Sequence, residues 1–146
     1  MITVERSALV LHSALDMYAL VEDIESYPRF LPWCSGAAVE HRDAERTVGT
    51  LRVDFKGVHQ QFTTENLKTP AERIEMRLVR GPFRSLEGRW RFVALAPDAC
   101  RVELHLAYQF ANPLLGRLVG PVFNHIANTM VDAFVRRADS VQAGRG

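Results

Sequence analysis

Val102-Glu103-Leu104-His105-Leu106-Ala107-Tyr108-Gln109-Phe110-Ala111-Asn112-Pro113 is the stretch where the chain changes period. Before Asn112-Pro113, apolar residues return at every second position: Val102, Leu104, Leu106, Tyr108 and Phe110. After it they return at helical spacing: Leu115, Val119, Val122, Phe123, Ile126, Met130 and Phe134. Period two gives a strand with one dry face, and the helical period gives one dry side, with Asn124, His125, Asn128, Asp132 and Arg136 on the other. A half-dry strand followed at once by a half-dry helix calls for a sheet and a helix that cover each other. The helical pattern runs to about Val141, so about 26 residues would span roughly 39 Å at 1.5 Å each. That exceeds an ordinary strand, and a sheet must curl to cover it. Gly49, Gly57 and Gly88 are places where strands can bend or bulge.

The same alternation extends upstream to Gly36. Leu51, Val53 and Phe55 alternate with Arg52 and Asp54; Ile74, Met76 and Leu78 with Glu75 and Arg77; Leu86, Gly88, Trp90 and Phe92 with Glu87, Arg89 and Arg91. Asp43 to Thr47, Lys56-Gly57, Thr69-Pro70, Gly81-Pro82 and Pro97-Asp98 carry turn chemistry between these runs. Short turns between half-dry strands predict an antiparallel meander. Ile2 to Leu11 reads as a first strand. Ser13 caps a short helix with Ala14, Met17, Tyr18 and Val21 on one side. Asp23 or Ser26 opens a second helical segment, with Pro28 in its first turn and Pro32 at its end. The order is β-α-α-β-β-β-β-β-β-α, an α+β helix-grip architecture of about seven strands around a long C-terminal helix, in one domain over residues 1–146.

The bulk composition fits such a domain. Of 146 residues, 47% are hydrophobic and 24% charged, and the net charge of +1 supplies no general pull toward nucleic acid or membrane. No run approaches the roughly 20 apolar residues of a membrane span. The N-terminus lacks a basic-then-apolar leader pattern. Cytoplasmic residence is the expectation. Cys34 and Cys100 form no CxxC pair and no metal-ligand spacing, and read as two buried thiols. Arginine outnumbers lysine 16 to 2, a skew that carries no functional weight by itself.

Catalytic signatures are missing. His12, His41, His59, His105 and His125 are scattered, none at ligand spacing, and no GxSxG, P-loop or GxGxxG occurs. No pair of carboxylates is placed for acid-base work. The expectation is a protein that is not an enzyme, with no metal and no cofactor. Gly116 and Gly120 have a GxxxG spacing that reads as helix-sheet packing.

Three features point to binding. Phe55, Phe62, Met76, Trp90, Phe92, Tyr108 and Phe110 face the helix from the strands, and Phe123, Met130 and Phe134 face back. They can close into a plain core or leave an apolar pocket with polar tips at the Tyr108 hydroxyl and Trp90 N–H. Tyr27-Pro28-Arg29-Phe30-Leu31-Pro32-Trp33-Cys34 is a stiff apolar loop that either gates a pocket mouth, touching membrane there, or plugs one end of the core. Arg73, Arg77, Arg80, Arg84, Arg89 and Arg91 surround the Gly81-Pro82 turn. Arg73, Arg77, Arg89 and Arg91 face outward among Glu72, Glu75 and Glu87. They serve either cross-strand ion pairs or a phosphate-bearing surface such as RNA or lipid head groups.

Tyr27-Pro28-x-Phe30-Leu31-Pro32-Trp33-Cys34, followed by Gly81-Pro82-Phe83-x-x-Leu86-x-Gly88-x-Trp90-x-Phe92, resembles the coenzyme Q-binding START-like family within the polyketide cyclase/lipid transport superfamily. Cys100-Arg101-Val102, Met130-Val131-x-Ala133-Phe134 and Arg137-Ala138 extend the likeness, which covers roughly Val4 to Val141. The resemblance implies a hydrophobic tunnel that binds ubiquinone, or another polyprenyl quinone, as a carrier or chaperone supporting respiration. For its bacterial branch, which includes ribosome association toxins, it implies binding to the large ribosomal subunit and a block on subunit joining. A peripheral contact at the inner face of the membrane would suit a quinone carrier. DNA is not an expected partner. An oligoketide cyclase would need a catalytic set that the residues do not display. The expected ligand site comprises Tyr27, Phe30, Trp33, Phe55, Phe62, Met76, Phe83, Trp90, Phe92, Tyr108, Phe110, Phe123, Met130 and Phe134. Arg77, Arg89 and Arg91 are the expected phosphate or RNA surface.

Overall fold

In the computed structural model, which describes residues 1–145, seven antiparallel strands form one sheet against a long C-terminal helix. The strands are β1 (Ile2–Val10), β2 (Cys34–Arg42), β3 (Arg46–Phe55), β4 (Val58–Thr69), β5 (Arg73–Arg80), β6 (Phe83–Ala96) and β7 (Ala99–Phe110), in spatial order β1-β7-β6-β5-β4-β3-β2. Strands β2 to β7 form a meander, and β1 closes the sheet against β7, with Val4 opposite Leu106 and Val10 opposite Cys100. All five turns fall where the turn residues place them. Lys56 and Gly57 both have positive φ, 49° and 82°, as a two-residue hairpin turn of matching twist requires.

Curvature comes from bulges more than from glycines. Register shifts occur in β2 at Cys34/Gly36 and Val39/His41, at Thr63/Thr64 between β4 and β5, and at both ends of β6. Of the three glycines expected to bend strands, Gly57 sits in a turn, while Gly49 and Gly88 keep regular register and serve close packing instead.

Helix α1 (Ala14–Glu22) is capped by Ser13, whose hydroxyl accepts from Asp16 N–H at 3.0 Å, and it buries Ala14, Met17, Tyr18 and Val21. The segment after it is a tight 3-10 helix over Ile24–Arg29, opened by Asp23. Helix α2 spans Pro113–Arg145, beyond the expected end near Val141, since Ser140-Val141-Gln142 contains no breaker. Pro121 lies inside it and removes one backbone donor. Val119, Val122, Phe123, Ile126, Ala127, Val131, Phe134 and Ala138 form its buried side. Phe110 packs on Gly116 and Gly120 at ordinary contact distance, 3.8 Å from where each Cβ would be.

Candidate functional site

The inward aromatics divide into two groups along α2. Phe62, Phe83, Tyr108, Phe110 and Phe123 pack around its N-terminal half, with Tyr108 and Phe123 centroids 4.7 Å apart and Phe83 and Phe123 at 4.9 Å. Tyr27, Phe30, Trp90 and Phe134 pack around its later turns, each of the first three 5.2 to 5.3 Å from Phe134 or edge-on to one another. Between the groups lies an apolar cavity of about 60 Å³. Strands β3 to β7 supply one wall through Leu51, Phe62, Met76, Leu86, Trp90 and Leu106. Helix α2 supplies the other through Phe123, Ile126 and Met130, and Ile24 and Tyr27 cap the space.

Of the fourteen residues expected to bind a ligand, Tyr27, Phe62, Met76, Trp90, Phe123 and Met130 line this cavity. The rest pack elsewhere. Phe83 and Phe110 stack on each other at 5.1 Å beyond the cavity's end. Phe92 lies under Tyr18, and Trp33 and Phe134 are buried in the core. Phe55 stacks on His125 of α2 at 5.8 Å, with the rings 8° from parallel. Phe30 is half-buried, with the Arg137 guanidinium 5.2 Å over its ring. Tyr108 is fully buried, and its hydroxyl has no hydrogen-bond partner among the described residues. It is therefore a core residue, not the cavity's polar tip.

The Tyr27–Cys34 loop closes one end of the core. Tyr27, Leu31, Trp33 and Cys34 are buried, and the Tyr27 hydroxyl donates to the Val21 carbonyl at 2.5 Å. Burial, then the nearby Glu22 carboxylate, raises the Tyr27 phenol far above its ordinary range, so it stays a neutral donor. Burial also raises both thiols, Cys34 and Cys100, which are free.

The two polar residues of the cavity escaped sequence reading. Thr64 and Asn66 line the space from β4, are 8% and 7% exposed, and bond to each other, Thr64 Oγ1 donating to Asn66 Oδ1 at 2.8 Å. The signal was their parity with Phe62: positions 62, 64 and 66 share the inner face. The next inward residue, Lys68, has a side chain only 5% exposed and places its ammonium 2.9 Å from Glu22 Oε1. The same oxygen accepts from Thr47 Oγ1 at 2.8 Å and Arg42 Nε at 3.0 Å, while Glu22 Oε2 is buried without a partner.

On the outer face, the arginines are largely engaged. Arg77 pairs with Glu65 at 2.8 Å, Arg91 with Glu103 at 3.4 Å, and Arg80 with Glu40. Arg89, in register with Glu75 and His105, has no ion pair among the described residues. Four histidines each meet one carboxylate: His12 with Asp139, His41 with Asp43, His59 with Asp54 and His105 with Glu5. No group of three metal-ligating side chains occurs among the described residues. A larger open groove, about 820 Å³, runs outside between α1, the 3-10 turn and the end of α2, with polar residues such as His12, Asp16, Asp98 and Arg137 along it. The space between the sheet and α2 is smaller than this groove but walled by apolar side chains.

A family model described as polyketide cyclase / dehydrase and lipid transport matches residues 10–135. A ribosome association toxin RatA from Pseudomonas aeruginosa is 43% identical over 135 residues, covering 92% of this chain and 94% of that protein. The mitochondrial coenzyme Q-binding protein COQ10 homolog B of Xenopus laevis is 28% identical over 129 residues, 86% of this chain and 53% of that protein. Among solved structures, the Zhui aromatase/cyclase of Streptomyces sp. R1128 superposes with a TM-score of 0.81 at 18% identity, covering 94% and 93% of the two chains. A START superfamily protein from Mycobacterium smegmatis superposes with a TM-score of 0.75 at 25% identity, covering 95% and 98%.

Proposed function

The chain belongs to the polyketide cyclase / dehydrase and lipid transport family, and from that premise we propose that it binds a lipophilic small molecule, a polyprenyl quinone such as ubiquinone, between the sheet and α2. The observation that carries this reading is an apolar cavity between sheet and helix whose wall holds one buried polar pair, Thr64 and Asn66. Apolar walls with a few placed polar groups are the usual make-up of small-molecule sites. The relative named for coenzyme Q binding gives the quinone its place as first candidate. In this reading the ligand is held, not converted: among the described residues Tyr27 is the one ionisable side chain on the cavity wall, and its hydroxyl is committed to Val21. A carrier of this kind would meet the membrane from the side; no described helix is long and apolar enough to cross it.

The cavity is smaller than the roughly 300–1,000 Å³ usual for ligand pockets and has room for about two waters. Met76 and Met130 face each other across it and can change rotamer at little cost, so a ligand enters by swelling the space. The test is solvent extraction of the purified protein, lipid analysis, and titration with added ubiquinone. Co-purified or added quinone at about one per chain supports the reading. No quinone in the extract and no binding on titration overturns it.

A second reading is association with the large ribosomal subunit, blocking subunit joining. Its support is the 43% identity to a ribosome association toxin over nearly the whole chain. The outer sheet face is the candidate surface. With Arg77 and Arg91 already paired, Arg89 is expected to carry most of any phosphate contact. Induced expression should raise free subunits at the expense of assembled ribosomes, and Arg89→Ala should weaken association and flatten its salt dependence. Unchanged gradient profiles remove this reading and leave the first untouched, because one uses the interior and the other the outside.

A further inference from the structure

The inner face of β4 becomes steadily more polar along its length: Phe62, Thr64, Asn66, then Lys68. Thr64 donates to the Asn66 amide oxygen. That bond takes one lone pair of the oxygen and neither of the two N–H donors of Asn66, a residue that lines the cavity. No side-chain bond from those donors occurs among the described residues. A free amide donor on a residue that lines an otherwise apolar cavity has the form of a recognition point. Beyond Asn66 on the same strand stands Lys68, in a network with Glu22, Arg42 and Thr47. An apolar tail gains nothing by approaching those charges.

At the opposite end, Phe62, Phe123 and Ile126 are shared with a second, narrower slit between β4 and α2, about 10 Å³, which reaches Gln60 and Pro82. The Phe62 and Phe123 rings meet edge to face at 6.0 Å and separate the two spaces. Phe62 is only partly buried, so one side of this partition can yield.

We propose that Asn66, held in place by the Thr64 hydroxyl, recognises an acceptor oxygen, a carbonyl or ether, on an amphipathic ligand, and that the ligand's apolar tail leaves past Phe62 and Phe123 through the slit at Gln60 and Pro82. This rests on the cavity being the ligand site, and it adds the ligand's orientation and the residues that choose it. Oxygens at the ring of a quinone fit the donor end; its hydrocarbon tail fits the aromatic end.

Three probes separate the parts: a short-tailed ubiquinone analogue, the alkylbenzene with the same tail and no oxygen, and the ubiquinone ring with no tail. Each is titrated into the purified chain by calorimetry. The wild type should prefer the short-tailed quinone to the alkylbenzene by about tenfold, the effect of one well-placed hydrogen bond. Asn66→Leu should lose that preference, with weaker quinone binding and unchanged alkylbenzene binding. Thr64→Val should lose about threefold and serves if Asn66→Leu yields little folded protein. Gln60→Trp, at the slit, should weaken the tailed quinone and leave the tailless ring unaffected. Equal loss of quinone and alkylbenzene in Asn66→Leu, or no loss, overturns the recognition point. Full binding of the tailed quinone by Gln60→Trp overturns the exit. A wild type that binds none of the probes takes down the cavity reading itself.

Discussion

Replacing Gly88 with alanine adds one methyl group to the inner wall of the sheet. A Cβ at that position would lie 2.6 Å from Leu106 Cδ2, 2.7 Å from Met76 Cε and 3.1 Å from the His105 carbonyl oxygen. The first two are side-chain ends and can swing aside. The third belongs to the β6–β7 ladder, where Gly88 stands opposite Leu106, and can move only with its strand. Overpacking of this kind costs about 1–3 kcal/mol. The loss of glycine's freedom in the unfolded chain returns about 0.4–1 kcal/mol, with no strain to set against it because Gly88 does not need a positive φ. The net expectation is about 1–2 kcal/mol of destabilisation. For a chain of this size that lowers Tm by roughly 2–8 °C. Urea unfolding at 25 °C measures it directly and should show a lower midpoint with an unchanged slope. Met76 and Leu106 also line the cavity, so the displaced methionine takes part of its 60 Å³ and quinone affinity should fall severalfold. Stability within about 0.3 kcal/mol of wild type, together with unchanged quinone affinity, would refute this packing of the wall.

Tyr108→Phe removes a buried hydroxyl that has no partner, and should stabilise the protein by about 1 kcal/mol in the same urea assay; a loss of that size would mean the hydroxyl is satisfied. Lys68→Met should cost about 2–4 kcal/mol, because Glu22 keeps Arg42 and Thr47 but loses its most buried charged partner. The double variant with Glu22→Leu should recover much of that loss, and a double variant as unstable as the sum of two single ones would contradict it. Acid should unfold the protein through its paired carboxylates. Hydrogen bonds from His41, then from the Glu45 and Arg46 N–H groups, hold Asp43 down to about 2. Arg42 lowers Glu25, Arg46 and then Arg77 lower Glu65, and His59 and Ser35 lower Asp54. Each folded-state value lies below the unfolded one, so this stability is present above the ordinary carboxylate range and is lost as pH falls through the folded values. Tm should therefore be flat above about pH 5 and decline toward pH 2, and a Tm that holds across that span would contradict it.

What could be read from the sequence was what repeats. Alternation in β7 and helical spacing in α2 are one-dimensional signatures of which side is dry, and Leu104, Tyr108, Ile126 and Phe134 are indeed buried. Turns were legible because Lys56-Gly57 and Gly81-Pro82 carry their backbone requirements in their own side chains. The cavity was only half legible. Apolar parity names every residue that faces inward, but a core and a cavity wall look identical in that respect. Whether Tyr108 or Met76 meets empty space depends on how Phe83, Phe110 and Phe123 fill the volume between them, and volume is not written in any period. Thr64 and Asn66 were visible by parity as polar residues on a dry face. Aromatic content does not lead to them, because a polar exception on a dry face carries no period of its own.

The two sides of the cavity differ in how far they can yield, and this bears on how a ligand as large as a quinone can be held. Trp90 and Leu106 belong to β6 and β7, which pair along nearly their full length, and β7 is buttressed by β1. The rest of the lining includes a softer part, Leu51, Phe62 and Met76 of strands β3 to β5 and Met130 of α2, which are only partly buried. Expansion must follow the softer side, because moving a paired strand breaks ladder bonds while moving a methionine or a half-exposed phenylalanine changes a rotamer. Part of the binding energy then goes into separating β4 from α2, and observed affinity falls short of what the buried ligand area alone would give. A substitution that loosens this seam, such as Met130→Ala, weakens the free protein and lowers the cost of opening at the same time. Its urea midpoint should fall while its quinone affinity holds or rises. Parallel loss of stability and affinity would place the yielding side elsewhere.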